Sequence, residues 1–94
     1  MTDLFVLVVY DISNDRRRTK LHNLLLDYGS PVQYSVFECL LDVERLKKMK
    51  QAVRKLIRPK KDNVRYYCLC AGCVKQIEAP GGEVVSELSK VVIV

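Results

Sequence analysis

Apolar positions along the chain change their spacing several times, and each change predicts a different element. Leu4 to Ile12 is nearly continuous in Val, Leu and aromatic residues, the pattern of a strand covered on both faces. From there the apolar residues fall three and four apart, at Leu21, Leu24, Leu25 and Tyr28. That spacing predicts a helix capped by Ser13 or Asn14 and stopped by a left-handed Gly29. Val32 to Leu41 alternates and carries β-formers, so it reads as extended chain. Lacking a Gly or Asn turn, it makes an uncomfortable tight hairpin, and one kinked strand or two short ones both stay open. Asp42 then caps a second helix with a stripe of Leu46, Met49, Val53, Leu56 and Ile57, which Pro59 ends. Arg65 to Ala71 is a further strand, Val74 to Glu78 a candidate short one, and Val91 to Val94 an apolar terminus that needs cover. Strand, helix, extended segment, helix, strand is the order of an α+β sandwich with both helices on one face of the sheet. The breaker-rich stretch Ala79-Pro80-Gly81-Gly82 separates a body, 1–78, from a tail, 79–94.

At 94 residues, 49% of them apolar, there is room for one core and not two. A domain of this size buries only about two-thirds of its unfolded surface, so a partner subunit would add to a modest stability margin. The longest purely apolar run, Leu4 to Tyr10, has seven residues, far short of the ~20 that span a bilayer. Neither a membrane span nor a signal peptide is visible, and a cytoplasmic protein without membrane partners is expected.

Charge sharpens the picture through its placement. The net charge is +5, and ten of the sixteen cations lie between Arg45 and Arg65, with four more at Arg16, Arg17, Arg18 and Lys20. Clusters of that kind suit a phosphate backbone, although a solvated helix face is the commoner meaning of a basic helix. Arg16, Arg17 and Arg18 stand where a helix begins, and cations there oppose the positive end of the macrodipole. Such a placement makes sense if the arginines and the free helix N–H groups hold a phosphate between them. Asp11 ends the first strand, where it is either a turn former or a site residue.

Other candidates are weaker. Cys68, Cys70 and Cys73 form C-x-C-x-x-C, and Cys39 is a fourth thiol, so zinc is one reading. The alternation of Cys68 and Cys70 on a strand favours small buried hydrophobes instead, and without a secretion signal a stable disulfide framework is not expected, although Cys70 and Cys73 can oxidise in vitro. His22, the single histidine, sits in a helix among leucines and reads as a surface or boundary residue. Gly81-Gly82 precedes no phosphate-loop lysine.

The run Tyr10-Asp11-Ile12, then Asp15, Arg18 and Lys20, then Tyr28-Gly29 and Val32-Gln33-Tyr34-Ser35-Val36-Phe37-Glu38 resembles the CRISPR-associated endoribonuclease family two. These are small adaptation proteins that partner the CRISPR integrase, and many are described as metal-dependent endonucleases. The resemblance implies a ferredoxin-like βαββαβ sandwich with an antiparallel sheet. It also implies a homodimer with facing sheets and a C-terminal strand, here Val91 to Val94, joining the partner's sheet. Asp11 matches the family's metal-binding and catalytic aspartate, with Mg2+ or Mn2+ as the implied ion. Arg18, Lys20 and Phe37 match further implicated positions, Arg18 and Lys20 for phosphate charge and Phe37 for packing or base contact, and Ser35 can hydrogen-bond near the metal's water. Relatives commonly carry an arginine just before the Val-Gln pair, where this chain has Pro31; Arg17 is a possible substitute.

Two functions follow. One is a magnesium-dependent endonuclease acting on RNA or DNA through Asp11, with Arg18, Ser35 and Phe37 in the catalytic set. The other is a non-catalytic dimer that bridges integrase subunits and binds protospacer DNA. Both place nucleic acid on Arg16, Arg17, Arg18, Lys20, Lys47, Lys48, Arg54 and Lys55.

Overall fold

The computed structural model describes residues 3–78 and Pro80. The elements run β1 (Leu4–Asp11), α1 (Asp15–Leu25), β2 (Gly29–Gln33), β3 (Val36–Leu41), α2 (Val43–Leu56), β4 (Asn63–Leu69) and α3 (Ala71–Lys75). The sheet is antiparallel throughout with strand order β2-β3-β1-β4, which is the ferredoxin-like arrangement. The tail 79–94, including the expected strand at Val91 to Val94, lies outside the described residues apart from Pro80. No helix among them is long and apolar enough to cross a membrane.

Strand β1 sits between β3 and β4, and its alternate side chains face opposite ways. Val6, Val8 and Tyr10 point toward the helices, in register with Cys39 and Phe37 of β3 and with Tyr66 and Val64 of β4. They form the core with Leu21 and Leu25 of α1 and Leu46, Met49 and Val53 of α2, so both helices cover the same face. Phe37, Leu21, Leu25 and Met49 are fully buried there. On the other face stand Leu7, Val9 and Asp11 with Val36, Glu38, Arg65 and Tyr67. That face is only partly covered: Leu7, Val9 and Val36 are half-buried and Tyr67 is exposed.

Both helices start on caps that the sequence pattern anticipates. The Asn14 side chain accepts from the Arg17 N–H and that of Asp42 accepts from the Arg45 N–H. One question left open is decided, and three expectations need correction. Val32 to Leu41 is two strands joined by Tyr34-Ser35, a tight hairpin made possible because Ser35 takes the positive φ of 64° usually left to Gly or Asn. Gly29 does not stop α1, which ends at Leu25, but opens β2. Its absent side chain matters there, because a Cβ would run into the Glu38 carbonyl oxygen and stand 2.5 Å from Cys39 Sγ. Residues 71–75, which overlap the candidate strand at Val74 to Glu78, form the short helix α3. Cys68 and Cys70, expected to be buried, are exposed, and only Cys39 is in the core.

A buried acid joins α1 to the loop before β4. Both Asp62 carboxylate oxygens accept from Arg17, at 2.8 Å from Nε and 3.0 Å from the terminal nitrogen, and one also accepts from the Arg58 N–H at 2.8 Å. The Arg17 guanidinium hydrogen bonds hold the Asp62 carboxyl below the usual carboxylate range.

Gly29→Ala should lower stability by about 1–3 kcal/mol through overpacking, read as a lower Tm. Adding Cys39→Ala should recover only part of the loss, because the carbonyl clash remains. Asp62→Ala should lower Tm by about 10 °C or more, the shift expected from losing three hydrogen bonds to a buried carboxylate in a small domain. Because the folded-state pKa of Asp62 is depressed, its contribution is complete above the unfolded carboxyl's pKa of about 3.9 and is lost as pH falls through the lower folded value. The difference in Tm between wild type and Asp62→Ala should therefore shrink below about pH 4; a constant gap down to acid pH would show that the charge is not what Asp62 contributes.

Candidate functional site

Asp11 is the last residue of β1 and pairs with Asn63 of β4. Because Tyr10 faces the helices, Asp11 is turned to the open side of the sheet, and it is exposed. The sequence-predicted partners do not share that side. Phe37 is fully buried on the helix side, with its ring 6.4 Å from that of Tyr10 and 5.1 Å from that of His22. Of the two roles expected for Phe37, packing or base contact, its burial fits packing in the core. His22, half-buried against Phe37, is the boundary residue its helix position suggests.

Ser35 also turns to the helix side. Its carbonyl accepts the Tyr10 N–H at 3.1 Å, and burial raises the pKa of the Tyr10 phenol. The hairpin turn is thus clamped to the end of β1. Ser35, Tyr10, Arg18, His22, Gln33 and Tyr34 line a cleft of about 250 Å³ between α1 and that turn. Tyr34 is 82% exposed. Sequence reasoning gave Tyr10 and Tyr34 no role beyond the motif, since their meeting depends on the hairpin bringing residue 34 back to residue 10.

The arginines at the head of α1 divide. Arg17 is held by Asp62, and Arg18 donates to the Ile12 carbonyl at 2.9 Å and to the Asp15 carboxylate. Protein acceptors thus engage part of each guanidinium and offset the unfavourable start of the helix. Arg16 and Lys20 remain exposed. What Arg18 does is brace the loop 12–15 directly behind Asp11.

Along α2, Lys47, Lys48, Arg54 and Lys55 are exposed on the outer surface of the helix layer. Two other cations of this helix are engaged locally: Arg45 lies 5.1 Å over the Tyr28 ring and donates to the Asp27 carbonyl, and Lys50 lies 5.3 Å from the centre of the Tyr66 ring. The exposed cations of α2 therefore sit on the layer opposite to the face that carries Asp11, while Arg65 is exposed on the Asp11 face itself. The open face has its own acid, Glu38, whose carboxyl burial pushes above the usual range.

Carboxylate oxygens are suitable donors for Mg2+ or Mn2+. Among the described residues, however, no three His, Cys, Asp or Glu side chains come together in one chain to hold a metal. The same holds for C-x-C-x-x-C, whose three sulfurs do not converge. Within one chain, Asp11 therefore stands outside any cluster of three such side chains among the described residues.

Comparison with known proteins agrees with this architecture. A family model described as CRISPR associated protein Cas2 matches residues 4–77. The chain is 44% identical over 79 residues to CRISPR-associated endoribonuclease Cas2 1 of Chloroflexus aurantiacus, which covers 83% of this chain and 85% of that one. Its fold matches Cas2 of Streptococcus pyogenes with a TM-score of 0.73 at 32% identity, over 82% of this chain and 99% of that one. It also matches a chain of a partial Cas6-RT-Cas1–Cas2 complex with a TM-score of 0.74 at 28% identity, over 88% of this chain and 97% of that one. With the Tyr-Asp-Ile strand end, the ferredoxin-like sheet and these matches together, the chain belongs to the Cas2 family of CRISPR-associated proteins.

Proposed function

We propose that this chain is a metal-dependent endonuclease that works as a homodimer, with the Asp11 side chains of two copies meeting across their open sheet faces. The observation that carries the proposal is the shared face of Asp11 and the half-buried apolar residues Leu7, Val9 and Val36. A two-fold contact that covers those residues would bring both acids to one place. Two carboxylates repel each other when close, and a divalent cation between them relieves that repulsion. When bound, such an ion supplies Lewis-acid polarisation of a phosphodiester oxygen.

The chain's own groups have separable tasks. Asp11 is the ligand. Arg18, through the Ile12 carbonyl and Asp15, holds the loop that sets the direction of Asp11. The backbone bond from the Tyr10 N–H to the Ser35 carbonyl fixes the hairpin against the same strand end. Arg16 and Lys20, exposed near the head of α1, and Arg65, exposed on the face of Asp11, are cations that can hold phosphate.

A second reading has its own observation. Lys47, Lys48, Arg54 and Lys55 lie on the helix layer, away from Asp11, and a surface of that kind can hold duplex DNA without cutting it. The likeness to a chain of a Cas1–Cas2 assembly supports a bridging dimer with the integrase subunit as partner. The two roles use different faces and are compatible in one molecule.

Asp11→Ala should reduce magnesium-dependent cleavage of single-stranded RNA or duplex DNA by about 10²-fold or more, with Tm and dimer mass unchanged because the residue is exposed at a strand end. Undiminished cleavage by the purified variant would remove the nuclease reading and leave the bridge. Replacing Lys47, Lys48, Arg54 and Lys55 together by Gln should weaken duplex binding and flatten the slope of log K against log salt by about 0.9 for each phosphate no longer neutralised. An unchanged slope would return α2 to a solvated surface.

A further inference from the structure

The cysteines differ sharply in setting. Cys39 is buried in the core, where desolvation and then the neighbouring Glu38 push its thiol up to about 11, so it is inert at neutral pH. Cys68 is exposed on β4. Cys70 and Cys73, by contrast, stand together: both are exposed, and their sulfurs are 3.3 Å apart. We propose that Cys70 and Cys73 form a reversible redox pair that closes to an intramolecular disulfide by exchange with a small-molecule disulfide.

Geometry favours closure. A disulfide bond is about 2.05 Å long, so the sulfurs need to approach by only ~1.2 Å from their present separation. The turn between the two residues already holds them there, because the Cys73 N–H donates to Cys70 Sγ at 3.4 Å. Ala71 and Gly72 between them are too small to shield either sulfur. The same contacts make the pair unequal. Hydrogen bonds from the Cys73 backbone and side chain hold the Cys70 thiol below its ordinary range, and Cys73 is held above it. Cys70 is therefore the attacking thiolate and Cys73 the resolving thiol.

Each step balances. The Cys70 thiolate attacks one sulfur of oxidised glutathione, forming a mixed disulfide and releasing one glutathione thiolate. Cys73 then gives its proton to solvent and attacks Cys70 Sγ, expelling the second glutathione. The two protein thiols are oxidised by two electrons, and the glutathione disulfide is reduced to two thiols. Closure fixes the first turn of α3, the helix that follows β4 and buries Val74, and so fixes where the chain leaves the sheet.

Cys68, Cys70 and Cys73 fall on one tryptic peptide, 66–75, so the test uses full-length Cys68→Ser protein in mixtures of reduced and oxidised glutathione. After acid quench and alkylation, the peptide should lose both alkylation sites and two hydrogens in mass, with full return on adding dithiothreitol. Cys68→Ser/Cys73→Ala should instead trap glutathione on Cys70. Glutathione on Cys70 and Cys73 separately without an internal bond would overturn the proposal. So would two alkylated thiols persisting at oxidant levels that fully modify Cys68 in the wild-type chain.

Discussion

The alternation of side chains along β1 is the constraint on which the rest of this protein depends. As the inner strand between β3 and β4, β1 builds both surfaces of the sheet at once. Val6, Val8 and Tyr10 are committed to the helices, and that commitment sends Leu7, Val9 and Asp11 to the other side. One residue of slippage would exchange the two sets, burying Asp11 against Phe37 and turning Tyr10 outward. The pairing registers with β3 and β4, which agree with each other along the strand, exclude that slip. Chemistry at Asp11 is thus a consequence of how the core is packed.

Electrostatics explains how a helix can begin with three arginines. Asn14 caps the helix, Asp15 supplies an anion in its first turn, and Arg17 and Arg18 turn back onto acceptors in the protein. Asp62, though forty-five residues away from Arg17, contributes a buried carboxylate to the same end of the sheet. The cost of desolvating that acid is met by three hydrogen bonds, two from the guanidinium and one from the Arg58 N–H. Exposed cations remain on α1 and α2, in the loop before β4 at Arg58, Lys60 and Lys61, and on β4 at Arg65.

Much of the architecture was legible in the residues. The caps Asn14 and Asp42, the stripes of α1 and α2, and the strand near Arg65 follow from helical and strand periods and from side-chain acceptors at helix starts. The hairpin at Tyr34-Ser35 was not, because its turn depends on Ser35 adopting a positive φ, a rare choice with no residue-type signal. Gly29 misled for a related reason: a glycine after a helical stripe looks the same whether it ends the helix or admits a neighbouring strand. The exposure of Cys68 and Cys70 was hidden too, since alternation says that two residues share a face and does not say whether that face is covered.

From the chain alone come its segments, the motif Tyr10-Asp11-Ile12 and the family that motif points to. Those are local properties, set by spacing and by residue type. Which side of the sheet Asp11 occupies could not be obtained that way, because β1 is apolar at every position from Leu4 to Tyr10 and so carries no difference between odd and even residues. Only the docking of α1 and α2 onto one face breaks that symmetry. The same docking buries Phe37, and the approach of the loop before β4 takes Arg17 out of solvent, both through contacts between residues remote in sequence that local pattern cannot encode.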